Sequence, residues 1–144
     1  MFKVGSVFIP VTNMEKSMKW YEKNLDVRKI DTWDGGAGFY FPNSDTQIGL
    51  VRVDSPQPTE FVISGKRKNV YFNFLVDNIE AVHEKLKSAG VITTPIEDFG
   101  GMKGFDFFDL DNNPFSVVNE QEDSPFHRNN IRKAQETKKG RSSY

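Results

Sequence analysis

The chain of 144 residues is 37% hydrophobic and 27% charged, with a formal net charge of −1, which suits one ordinary folded domain. No apolar run approaches the roughly 18 residues that a membrane-spanning helix needs, and no cleavage signal follows the apolar start MFKVGSVFIP, so the sequence reads as cytosolic. With no cysteine and only two histidines, His83 and His127, the sequence excludes disulfides, thiolate metal sites, a cysteine nucleophile and a histidine-rich metal centre.

Residues 4–11 are rich in β-branched and aromatic residues, as a strand requires. Thr12 and Glu15 follow with capping-box spacing, and Met14, Met18, Tyr21 and Leu25 recur as one apolar helix stripe, predicting a helix at about 13–25. Strands are expected at 27–33, 37–42 and 47–53, separated by the turn residues Asp34-Gly35-Gly36 and Pro42-Asn43-Ser44-Asp45. Residues 55–68, with two prolines, a glycine and a basic cluster, read as a connector. The pattern then restarts. A strand at 70–76 leads to Asp77 and Glu80 at capping-box spacing, a helix at about 78–89 closed by Gly90, and strands at 91–96, 102–108 and 114–119.

The predicted organisation is thus α+β: two βαβββ modules, about 1–54 and 69–121, within one domain of residues 1–121. A shift of 65 positions superposes Val11 on Val76, Asn13 on Asn78 and Glu15 on Glu80, the grammar of an internal duplication. Residues 122–144 form a basic tail. Residues 126–144 hold six basic side chains against Glu136, a net +5 that leaves the rest of the chain at −6. No aromatic residues interleave with those charges, so we read the tail as a solvated extension or an arm on a partner, and nucleic acid is not expected except through it.

The stretches FIPVTNMEKSMKWYEKNL, FLVDNIEAVHEKLKSAGV and GFDFFDLDNNPFSVV resemble, in order, the opening strand and helix, the second strand and helix, and the closing hairpin of the vicinal oxygen chelate superfamily of glyoxalase, bleomycin-resistance and extradiol-dioxygenase proteins. Residues 3–120 carry the resemblance. The family's closing turn is usually Asp-Pro-Asp-Gly-Asn; here it is Asp109, Leu110, Asp111, Asn112, Asn113. The resemblance implies curved mixed sheets around a cleft and a homodimer. In metal-dependent members, His or Gln, Glu, His and Glu from four strands hold a divalent ion that acts as a Lewis acid. Aligning the motifs puts Ser6, Gly49, Tyr71 and Ser116 on those positions, and none is a standard ligand for such an ion. No metal and no other cofactor is therefore expected.

Other chemistry is weaker. Asp109, Asp111, Asn113 and Glu120 have calcium-loop spacing, but Pro114 stands where that loop needs glycine. His83 lies off its helix's apolar stripe and reads as exposed, and Gly100-Gly101 precedes no helix that could hold a phosphate. Among the 13 Phe, 4 Tyr and 2 Trp, more than one core needs, some are expected to line a cavity. Strand parity turns Val70, Phe72, Phe74 and Val76 toward the helices and leaves Tyr71 and Asn73 facing the cleft, beside Ser6 and Phe8. The expected wall is Ser6, Phe8, Gly49, Tyr71, Asn73 and Ser116. The expected function is metal-free binding of a small, partly aromatic or apolar molecule without catalysis; the alternative is a lyase, isomerase or dioxygenase-like enzyme with non-standard residues.

Overall fold

The computed structural model describes residues 1–141. The first module opens with β1 (Ser6–Val11), whose alternation buries Ile9 and Val11 while Ser6 and Phe8 face outward. Helix α1 (Met14–Leu25) begins at Asn13, whose side-chain oxygen accepts the Lys16 amide at 3.0 Å, and it stops at Asp26, which takes a left-handed φ of 54°. Then β2 (Arg28–Trp33), β3 (Gly36–Phe41) and β4 (Ser44–Arg52) run as an antiparallel meander. β4 returns parallel to β1, giving the order β1-β4-β3-β2.

The segment read as a connector carries structure of its own. β5 (Glu60–Ser64) and β6 (Arg67–Val70) form a two-stranded hairpin turned by Gly65 at φ 56°. The second module follows as β7 (Asn73–Leu75), α2 (Ile79–Ser88), β8 (Glu97–Asp98), β9 (Met102–Phe108) and β10 (Pro114–Glu120). Its order, β7-β10-β9-β8 with β7 parallel to β10, repeats that of the first. The strand expected at 70–76 is split, because Val70 pairs back into the hairpin while Asn73 joins β10. The strand expected at 91–96 is reduced to a bridge at Thr93, since Pro95 has no amide to extend the ladder.

The helix caps lie one residue beyond the expected ones. Asn78 caps α2 by accepting the Ala81 amide at 3.1 Å, as Asn13 caps α1 65 residues earlier. Thr12 is otherwise engaged: its amide and hydroxyl both donate to the Asp111 carboxylate. Asp77 instead lies 3.5 Å from Arg128. Helix α2 ends with the Val91 amide on Leu86 and the Gly90 amide on Lys87, Gly90 taking φ 83°. The basic tail contains α3 (Arg128–Arg141), a polar helix on which Arg128, Arg132 and Lys133 are exposed. Among the described residues no helix is long and apolar enough to cross a membrane.

One core joins the modules. Ile9, Val11, Tyr21, Phe39, Ile48 and Leu50 belong to the same buried cluster as Ile79, Leu86, Phe105, Phe107, Phe115 and Val117. The joint is polar at its centre. Asp109, buried in the 109–113 turn, accepts from the Tyr21 hydroxyl, the Asp111 and Asn113 amides and the Asn113 side chain, which also donates to the Pro10 carbonyl. Burial, then the Asp109 carboxylate, push the Tyr21 hydroxyl far above its ordinary pKa. The turn closes on Asn112 at φ 61°, where the family usually has glycine; asparagine tolerates that left-handed conformation.

Candidate binding cleft

On β9, Phe105 and Phe107 enter the core, while Lys103 reaches Glu80 of α2 at 2.9 Å. That hydrogen bond holds Glu80 below the usual carboxylate range and Lys103 above the usual ammonium range. Period two then places Gly104 and Asp106 on the opposite, open face. On β10, Phe115 and Val117 are buried, and Ser116 stands opposite Asn73 of β7 on that same face. The Ser116 hydroxyl donates to Asp106 Oδ1 at 2.8 Å, and the Asp106 amide donates to Thr94 Oγ1 at 2.8 Å, so the carboxylate is fixed at both ends of its residue.

Aromatic rings border this polar floor. Tyr71, 71% exposed at the bend between β6 and β7, packs its ring 5.2 Å from that of Phe61 in the hairpin. Phe99 covers Gly104 closely enough that a Cβ there would stand 3.4 Å from its ring. Between them lies a cavity of about 650 Å³, lined by Tyr71, Asn73, Phe99, Asp106 and Ser116 among others. Its volume falls in the range of small-molecule sites.

The first sheet's open face is different. Phe8 stands opposite Gly49 in the β1–β4 register, and a Cβ at Gly49 would lie 2.7 Å from the Phe8 ring. Trp33 likewise lies on Gly36, where a Cβ would meet the indole at 2.2 Å. Phe8 and Trp33 remain 63% and 51% exposed, so this face is paved with accessible aromatic surface over glycines. Of the six residues read from sequence, the structure brings Tyr71, Asn73 and Ser116 together at one cavity. Ser6, Phe8 and Gly49 lie on the other sheet and do not line it. Asp106 was missed, although Phe105 and Phe107 turning inward could have placed it by parity.

The four positions at which the superfamily's metal-dependent members carry ligands do not suit a divalent ion here. Gly49 has no side chain and sits under the Phe8 ring, the Ser116 hydroxyl is spent on Asp106, and Ser6 in β1 and Tyr71 at the bend before β7 offer only neutral hydroxyls. Among the described residues no three His, Cys, Asp or Glu side chains gather as a metal set. His83, expected to be exposed, is half-buried: its Nε2 donates to the Thr94 carbonyl at 2.9 Å and its ring stands edge-on to Phe105. A second cavity, of about 730 Å³, opens between the modules against core residues such as Phe72, Phe74 and Leu86.

A family model described as the Glyoxalase/Bleomycin resistance protein/Dioxygenase superfamily matches residues 3–117. The chain belongs to that superfamily. Solved structures of the superfamily's fold agree. The fosfomycin resistance protein FosX from Listeria monocytogenes aligns over 85% of this chain and 96% of its own at 16% identity and a TM-score of 0.66. A superfamily member from Sphaerobacter thermophilus DSM 20745 covers 83% and 98% at 22% identity and 0.69. TnmS3, an antibiotic binding protein from Streptomyces sp. CB03234, covers 84% and 98% at 15% identity and 0.65. At these identities the likeness is one of fold. No curated protein matches the chain.

Proposed function

We propose that this superfamily member is a cytosolic protein that binds a small, partly aromatic or apolar molecule on the second module's open face and sequesters it without a metal ion. The observation that carries this reading is the cavity of about 650 Å³ in which exposed aromatic rings border Asn73 and the hydrogen-bonded pair Asp106 and Ser116. Rings supply apolar contact and the polar groups fix orientation, the usual division in a small-molecule site. A relative in fold, TnmS3, is described as antibiotic-binding, which supports the same use. A homodimer is part of the reading. The accessible Phe8 and Trp33 surface on the first sheet suits burial against a second copy.

The test is a thermal-shift screen of aromatic and antibiotic-like compounds on the purified protein and on Tyr71→Ala. Because Tyr71 is exposed, the substitution should change unliganded stability by no more than about 0.5 kcal/mol and abolish the shift given by any hit. A screen with no saturable, Tyr71-dependent hit overturns the reading. Elemental analysis after dialysis should find well below one equivalent of Zn, Ni, Mn or Fe per chain.

One observation favours a second reading, an enzyme of the lyase or isomerase type. Asp106 is a titratable group facing the cavity, and Ser116 orients it as a proton acceptor would need. Mass spectrometry of a bound ligand after prolonged incubation separates the two. Unchanged ligand supports sequestration; a product lost in Asp106→Asn supports turnover.

A further inference from the structure

We infer that the second-module cavity is selective for cationic, amine-bearing aromatic molecules and discriminates against anionic ones. The inference rests on the binding reading above and names the class of ligand. Among the described residues lining the cavity, the only charged side chains are Asp106 and Glu97, and no lysine, arginine or histidine joins them. Two neighbouring bases are engaged elsewhere. Lys103, adjacent in sequence to Gly104, is on the opposite face with Glu80 at 2.9 Å, and Lys68 of the hairpin lies 3.7 Å from Glu60.

The Asp106 carboxylate is prepared for a partner. Ser116 donates to Oδ1, and among the described residues Oδ2 has no hydrogen-bond donor, so an acceptor oxygen is left on a residue that lines the cavity. An ammonium supplies both the charge and the donors that this oxygen lacks. The rings of Tyr71 and Phe99 reinforce the preference, since the faces of aromatic rings attract cations as well as apolar surface. An anionic ligand would meet two carboxylates and find no counter-charge.

Three probes sharing an indole ring test this: tryptamine, a cation; tryptophol, neutral; and indole-3-acetate, an anion. Binding of each to the full chain is measured by calorimetry or by NMR titration. Tryptamine should bind about tenfold more tightly than tryptophol, with indole-3-acetate weakest, and the tryptamine advantage should shrink as salt rises. Asp106→Asn should bring tryptamine to within about twofold of tryptophol, each measured on the same variant. The asparagine oxygen can still accept from Ser116, and should the variant fail to fold, Glu97→Gln and the three-probe order in the unaltered chain still decide. Equal or stronger binding of indole-3-acetate, or a tryptamine advantage that survives both substitutions, overturns the charge selectivity alone. No saturable binding of any probe overturns the selectivity, whereas the broad screen above decides the binding reading separately.

Discussion

Asp109 shows how much a single side chain carries. It is buried and accepts four hydrogen bonds, one of them from Tyr21 in the other module. Tyr21→Phe should therefore destabilise the protein by about 1.5 to 3 kcal/mol, the loss for a hydrogen bond to a charged group, measured by chemical denaturation at neutral pH. Because the native state raises the Tyr21 pKa, the stabilisation is complete below the unfolded value of about 10 and declines as pH rises above it. The gap between wild type and Tyr21→Phe should then narrow above about pH 10. Gly49 makes a complementary case of shape. Gly49→Ala must displace the Phe8 ring, and it should cost about 1 kcal/mol or more in wild type but less in a Phe8→Ala background, a coupling that a double-mutant cycle reads directly.

At the scale of elements, both main helices were legible because each combines an apolar stripe with a cap. Their caps were placed one residue early because Thr12 and Asp77 have suitable chemistry, and only tertiary contacts with Asp111 and Arg128 remove them from that role. Asn13→Ala and Asn78→Ala should each cost about 1 kcal/mol and combine additively, since the caps belong to separate helices; thermal denaturation of the three variants checks it. The hairpin of β5 and β6 was not legible. The two prolines just before it and the glycine at its turn are the residues of loops, and its pairing depends on few buried contacts, Phe61, Val62 and Ile63 all being exposed. The cleft was half legible for a related reason. Parity says which face of a strand is open, and Asn73 and Ser116 lie side by side on one face of β7 and β10 with Tyr71 at the bend before them; it does not say which sheets face each other, so Ser6, Phe8 and Gly49 were grouped with a cavity they do not line.

At the scale of the whole molecule, the first sheet leaves Phe8 and Trp33 accessible, and a chain that pairs with its own copy would hide them. Analytical ultracentrifugation should find a dimer, and Phe8→Ser with Trp33→Ser should shift it toward monomer. The duplicated order of strands suggests two interchangeable halves, yet the shared core and the Tyr21–Asp109 joint bind them into one. Neither half should keep its packing when the other opens. Backbone amides in Ile9 of one module and Val117 of the other should therefore exchange with deuterium at a common, slowest rate, through the same global opening rather than through separate sub-global ones. What began in the sequence as a repeat would thus respond to denaturant as a single cooperative unit.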